Sequence, residues 1–236
     1  MFAKIFNFVM IAILLFNSFN LSTRISELEN DNRVLKTVVN SIISNNEKMI
    51  SIIKDQTVIQ EQHIKRSMLL KKNQIDQLQI TKYSSLEAKV KLTEDDMNIV
   101  INEWSKYVKG GTPFKNKGAA FIAASNATGL DPIYLLAHAA WETGWGNSYI
   151  AKTKNNYYGI AAYDHNPNKA YKMGSTLDEG IMNGAKWIKA NYYDKGLVSL
   201  NSMIYGGKMY ASDKDNWIAG ISSIMRSSYK TLLKTA

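Results

Sequence analysis

No glycine and no proline occurs before Gly110 in this 236-residue chain, and all 14 glycines and all three prolines follow it. These two residues are the strongest punctuation a chain has. Their absence favours long helices in the N-terminal part, while the rest can turn often enough to close a core. The 88 residues from Ser22 to Lys109 are rich in Ile, Leu, Lys, Glu, Gln and Asn. Leu28, Leu35, Ile42 and Met49 recur every seven residues, with Val38, Ile52 and Ile59 in accompanying positions. Asp31 and Asn45 interrupt the second row, and Ile64, Met68, Ile75 and Leu78 resume in a shifted register. An imperfect heptad of this kind predicts a long helix or coiled coil with a stutter. If continuous it would reach on the order of 100 Å at 1.5 Å per residue; helices folding back on each other are the alternative.

Ahead of this lies the apolar run IFNFVMIAILLF, residues 5–16, broken only by Asn7. It falls short of the roughly 20 residues that span a bilayer unless extended to Leu21. The segment fits an uncleaved signal anchor with its N-terminus inside, a cleaved signal peptide, or a hydrophobic assembly segment of a virion protein. The anchor is the expectation.

From Gly110 onward the chain has about 125 residues and four of the five tryptophans, enough for a single core. Thr93-Glu94-Asp95-Asp96 reads as a capped helix start for MNIVINEWSKYV. Helices are expected over Lys117–Thr128, from Pro132, over Leu177–Tyr192 and over Trp217–Leu233, with short strands only between Tyr157 and Tyr171. The expected architecture is mostly α (α+β): a hydrophobic segment over 1–21, a helical stalk over 22–92 and a globular domain over 93–236.

Lack of cysteine excludes disulfides and cysteine zinc sites. Net charge is +9, of which +6 falls from Gly110 onward (14 Lys and Arg less 8 Asp and Glu), which favours a polyanionic partner. His63, His138 and His165 have no HExxH spacing, and no GxSxG, P-loop or dinucleotide fingerprint occurs. The lysines are dispersed and no nucleic-acid module is evident, so nucleic acid is not an expected partner.

The stretch that carries chemistry is PIYLLAHAAWETGWGNSYIAKTKNNYYG, residues 132–159. Asp131-Pro132 is a helix start, and Tyr134, Leu135, Leu136, Ala139 and Ala140 give it a buried face. Glu142 follows one turn after His138, beside Trp141 and just before the Gly144-Trp145-Gly146 break. A carboxyl at the rim of a core, against indole rings, suits a general acid. From Gly110 onward the only other glutamate is Glu179. Tyrosines are dense, and the pairs Tyr157-Tyr158 and Tyr192-Tyr193 are each expected to turn one ring outward, as a glycan groove requires. Trp187 and Trp217, at helical spacing, read as core.

The run Trp141-Glu142-Thr143-Gly144-Trp145-Gly146 followed by Asn155-Asn156-Tyr157-Tyr158-Gly159-Ile160 resembles the paired signatures of family 73 endo-β-N-acetylglucosaminidases, E-[ST]-x-[WN]-G and N-N-[YLF]-[FY]-G-I. AAYDHNP, GAKWIKANY and YASD extend the likeness to the autolysin subgroup of Gram-positive bacteria, over about Lys117 to Tyr229. The resemblance implies a lysozyme-like fold with a small β-lobe beside a cleft, and Glu142 as general acid. It also implies support from Tyr210 and Asp213 across the cleft, and substrate contacts from Asn156, Tyr157, Tyr158, Tyr163 and Asp164. Glu179 falls where some members carry a second catalytic glutamate, but the closest-looking subgroup differs there; it stays a candidate substrate contact. Peptidoglycan is the implied partner and no cofactor is required. Membrane contact through the N-terminal segment and homo-oligomers through the coiled coil are further expectations. The enzyme would sit at the cell surface or in a phage tail. The alternatives are a non-catalytic glycan-binding or tail protein, and a muramidase or lytic transglycosylase of similar fold.

Overall fold

Asp131 and Pro132 begin the helix on which the C-terminal fold is built. The computed structural model describes residues 2–27, 33–162 and 169–235; the side chains of 2–6, 22–23, 25–27 and 33–34 lie outside the described residues. The helices are α1 (Phe2–Glu27), α2 (Arg33–Asp76), α3 (Glu94–Ser105), α4 (Gly118–Thr128), α5 (Pro132–Thr143), α6 (Tyr149–Lys154), α7 (Leu177–Asn191), α8 (Leu200–Tyr205) and α9 (Lys214–Thr235). The chain divides into two units, Met1–Leu69 and Leu70–Ala236.

In the second unit α5 is buried from Pro132 through Ala140, on every face, as a stretch apolar all round but for His138 must be. Asp131 caps it, its carboxylate accepting from the Ile133 and Tyr134 N–H groups at 2.7 and 3.2 Å. α4 and α9 pack directly on it, and α3 and α7 pack on α4. α9 turns a stripe of Trp217, Ile221, Met225, Tyr229 and Leu232 inward, and the Tyr229 hydroxyl donates to the second Asp131 oxygen. The helices expected from sequence in this part are present, within three residues at each end.

Three expectations require correction. The helical stalk does not run continuously from 22 to 92. α2 ends at Asp76, and residues 77–93 carry no helix. They are instead stitched into the globular unit: the Leu86 N–H donates to the Val198 carbonyl, the Asp131 N–H to the Leu86 carbonyl and the Ala88 N–H to the Gly129 carbonyl. Ile75, Leu86, Val90 and Leu92 are core residues, so the structural boundary lies near Leu70 rather than at Thr93. Burying Leu86, Val90 and Leu92 outweighs the helical propensity of residues 77–93.

Within the first unit α1 and α2 pair antiparallel. Asn7 Nδ2 donates to Thr57 Oγ1 at 3.0 Å and Asn46 Nδ2 to Ser18 Oγ at 3.5 Å. The helices fold back on each other, and Leu35, Ile42 and Met49 of the heptad row stay about half exposed. Among the described residues no helix is long and apolar enough to cross a membrane, so the anchor expected over 1–21 is not supported. Asn7, Asn17, Ser18 and Asn20 cut the unbroken apolar stretch to Phe8–Phe16, about 14 Å of helix against a hydrocarbon core of about 30 Å.

No strand occurs among the described residues, apart from the isolated bridge Glu87–Leu130. Where short strands were expected, the Tyr171 N–H donates to the Ile160 carbonyl and Met173 N–H to the Lys154 carbonyl. The Asn156 side chain supplies further bonds here, its Nδ2 donating to the Ile160 and Tyr171 carbonyls at 2.8 and 3.0 Å. A side-chain amide thus does part of what a ladder would do.

Candidate active site

Glu142 sits in the last turn of α5, its side chain 19% exposed. The helix stops because Gly144 and Trp145 both adopt left-handed backbone, at φ 54° and 60°. Thr143 Oγ1 accepts the Gly146 N–H, and the Thr143 carbonyl accepts the N–H groups of Asn147 and Ser148. Asn147 Nδ2 donates to the Gly111 carbonyl and Thr112 Oγ1 to the Trp145 carbonyl. Ser148 then caps α6. The polar residues of the WETGWGNS run other than Glu142 therefore build the turn that fixes the end of α5.

The two oxygens of Glu142 have different surroundings. Oε1 accepts the Trp217 Nε1–H at 2.6 Å and lies 3.6 Å from His138 Nε2. Oε2 faces the Asn155–Ile160 loop, where a Cβ on Gly159 would lie 2.7 Å from it. Gly159 has φ 64°, so the position is closed to a side chain on both counts. With Oε1 committed as an acceptor, Oε2 is the oxygen left free, and it lies beside the NNYYG loop.

That loop is held from below. Asn156 is fully buried, donating as above and accepting the Ile160 N–H at 3.0 Å. Expected to meet substrate, it is instead the staple of the loop, with both its donors consumed. Tyr157 and Tyr158 are also both buried, at 3% and 0% exposure, against the expectation that one would face outward. Tyr157 packs edge-on to Phe114, and Tyr158 lies where α7 has Gly184, whose Cβ would meet the ring at 2.2 Å. A helix glycine makes room for the second ring. In the other pair Tyr192 is buried and Tyr193 partly exposed.

Tyr210 reaches the same loop from the other side, its hydroxyl donating to the Tyr158 carbonyl at 2.6 Å. Burial first, then the charge of Glu142 and the neighbouring tyrosines, holds this hydroxyl well above its usual range. It is a proton donor in hydrogen bonds, not a base. Asp213 is exposed at the start of α9; its carbonyl accepts the Trp217 N–H, and Oδ2 accepts from Asn216 at 3.0 Å. Glu179 is exposed at the start of α7, where Oε2 accepts the Ser175 N–H at 2.6 Å, a helix-start contact. Tyr163 and Asp164 lie outside the described residues. Among the described residues no group of three or more His, Asp or Glu is placed to hold a metal ion.

Two residues of the site were not singled out for function in the sequence. Trp217 reads as core by its spacing, and it is core, but its indole N–H is the donor to Glu142. His138 carries a signal in its place four residues before Glu142, on the same helical face.

Residues 118–230 match the family model for glucosaminidase, described as mannosyl-glycoprotein endo-beta-N-acetylglucosaminidase. They belong to the glucosaminidase family. The glucosaminidase domain thus contains α4 through most of α9, with Glu142, Gly159, Tyr210 and Trp217. A Streptococcus pneumoniae protein named as an endo-beta-N-acetylglucosaminidase is 45% identical over 112 residues, covering 47% of this chain and 17% of that protein. The bifunctional autolysin of Staphylococcus aureus is 31% identical over 170 residues, covering 61% of this chain and 14% of its own length. The chain therefore spans only a small part of the curated relatives it matches. Among solved structures, a catalytic mutant of S. aureus autolysin E in complex with the disaccharide NAG-NAM is similar at TM-score 0.54 and 28% identity. That match covers 67% of this chain and 76% of the other. Autolysin E in complex with a muropeptide is similar to the same degree.

Proposed function

We propose that this chain is a peptidoglycan hydrolase, an endo-β-N-acetylglucosaminidase that cleaves the β-1,4 bond after N-acetylglucosamine, with Glu142 as general acid. The observation that carries the reading is the asymmetry of Glu142. One oxygen is fixed by Trp217 and the other is turned toward the loop whose glycine leaves it uncovered. The complexes of autolysin E with NAG-NAM and with a muropeptide support the substrate class.

In the reaction Oε2 gives its proton to the leaving glycosidic oxygen as the bond to the anomeric carbon breaks. A cation-like sugar remains and is captured either by water held by a second carboxylate, for which Asp213 is the candidate, or by the sugar's own 2-acetamido oxygen. Water completes both routes. The first inverts the anomeric centre and the second retains it, so product stereochemistry separates them. Tyr210 braces the loop over Glu142 through the Tyr158 carbonyl. No cofactor takes part in either route. The enzyme acts at the cell surface or in the wall, where anionic polymers attract the +6 of the region from Gly110 onward. The half-exposed row Leu35, Ile42 and Met49 supports self-association of α2.

The test is digestion of purified peptidoglycan by the full chain, with borohydride reduction and mass spectrometry of the fragments. Reduced N-acetylglucosamine ends are expected; reduced muramic ends would make it a muramidase and anhydro ends a lytic transglycosylase. Glu142→Gln keeps the shape of the side chain and the Trp217 contact but has no proton to give. It is expected to lose at least a hundredfold in kcat with little change in KM. Near-full activity in that variant would sink the assignment.

A further inference from the structure

His138 is completely buried one turn below Glu142, yet its Nε2 has no hydrogen-bond partner. An unsatisfied polar atom at the centre of a core is rare and needs an explanation. It is enclosed by rings: Tyr134 at 5.5 Å between centroids, Tyr158 at 5.3 Å, Tyr210 at 4.7 Å and Trp217 at 5.2 Å. Oε1 of Glu142 lies 3.6 Å from Nε2, longer than a hydrogen bond.

The other ring nitrogen fixes the proton. Nδ1 lies 3.0 Å from the Tyr134 hydroxyl, which also has Met203 Sδ at 3.4 Å. A hydroxyl has one proton, and an imidazole nitrogen is a far better acceptor than a thioether. The Tyr134 O–H therefore donates to Nδ1, and the ring proton resides on Nε2, aimed at Glu142. The opposite tautomer would set a bare nitrogen lone pair against a carboxylate oxygen.

We infer that His138 is a positioning residue for the reaction. Held by Tyr134 as the Nε2–H tautomer, it is a second N–H donor, beside Trp217, for Oε1 of Glu142, drawn into a bond when Glu142 loses its proton. The inference rests on Glu142 being the general acid. A protonated Glu142, as a neutral acceptor, would attract the Nε2–H only weakly. The carboxylate left after proton transfer attracts it strongly, because a bond to a charged acceptor in a dry site is roughly twice as strong as a neutral one. His138 thus stabilises the product state of the proton transfer and keeps Oε2 as the oxygen that carries the proton. The titratable groups facing it are Glu142 and Tyr134 on its own helix, Tyr158 from the loop after α6 and Tyr210 from the segment before α9. Trp217 of α9 completes the enclosure without titrating, and Met203 of α8 lies against the Tyr134 hydroxyl.

The test compares pH profiles of kcat and kcat/KM on peptidoglycan for the full-length wild type, His138→Phe, His138→Gln and Tyr134→Phe. Phenylalanine keeps the ring and removes the N–H, whereas the glutamine amide places an N–H close to the Nε2 position. Without the N–H the Glu142 carboxylate is less stable, so Glu142 is a weaker acid. His138→Phe is expected to lose about tenfold in kcat at unchanged KM and to move the alkaline limb of the profile to higher pH. His138→Gln should recover most of kcat and return the limb. Tyr134→Phe, which frees the tautomer while keeping the packing, should move the limb in the same direction by less, and it decides the question if His138→Phe does not fold. Limbs that superimpose on the wild type in every folded variant would overturn the inference while leaving Glu142 as the acid. No hydrolysis by the wild type would overturn the functional reading itself, and this inference with it.

Discussion

At Gly159 two constraints meet in one residue. The backbone is left-handed at φ 64°, where an L side chain costs about 1–2 kcal/mol. A Cβ there would also lie 2.7 Å from Oε2 of Glu142, the oxygen we propose as the proton donor. The first constraint concerns stability and the second concerns chemistry, and a single substitution separates them. Gly159→Ala is expected to lower Tm by only a few degrees, since 1 kcal/mol shifts a domain of this size by about 2–4 °C. Its kcat should fall far more, about a hundredfold, because a shift of about 1 Å in a reacting group is enough for that. Calorimetry and wall-digestion assays on the same sample check both halves. Equal and small losses in the two would mean that Oε2 is not the working oxygen.

Among the elements, the end of α2 is joined to the start of α3 by one ion pair. Lys71 Nζ lies 2.7 and 2.9 Å from the two Asp96 oxygens, and Asp96 also closes a capping box with Thr93. Burial pulls the Asp96 carboxyl upward, but the Lys71 ammonium and the Thr93 N–H and hydroxyl outweigh it, and the net shift is downward. A depressed carboxyl stabilises the fold above its unfolded value and loses that contribution as pH falls through the folded one. Lys71→Met is therefore expected to cost about 1–2 kcal/mol at neutral pH. The gap in Tm between wild type and variant should narrow as pH drops below the ordinary aspartate value of 3.8. A gap that stays constant in acid would assign the loss to packing of the lysine stem instead.

At the scale of the whole molecule, the border between the two units decides which fragment folds. Ile75, Leu86, Val90 and Leu92 are each at most 6% exposed. At about 1.5–3 kcal/mol for each buried aliphatic side chain, their removal approaches the whole stability of an ordinary domain, about 5–15 kcal/mol. A fragment of residues 70–236 is expected to unfold cooperatively and to digest peptidoglycan as the full chain does. One of residues 93–236 should be largely unfolded by circular dichroism. A stable, active 93–236 fragment would put the border back where composition suggests it.

Much of this was legible along the chain because it depends on neighbours in sequence. The Asp131-Pro132 cap, the mostly apolar α5, the helices after Gly118 and the glycines that end them are local effects of three or four residues. Glu142 stood out for the same reason, its position against a glycine break. The long segment before Gly110 was legible as helix but not in extent: heptad spacing cannot tell a partner helix of the same chain from one of another chain, nor a stalk residue from a core residue. Asn156 read as a substrate contact from the motif, and at least one of Tyr157 and Tyr158 as outward because consecutive tyrosines are hard to bury together. Only the fold supplied the carbonyls that consume the Asn156 amide and the gap at Gly184 that admits the Tyr158 ring. The sequence by itself determined the helical class and the family motif that contains Glu142, since each is written in short-range pattern. The tertiary structure alone decided which Glu142 oxygen is held and which faces the loop. Trp217 is 75 residues away from Glu142 and Gly159 is 17, and contacts at such separations exist only once the chain has packed.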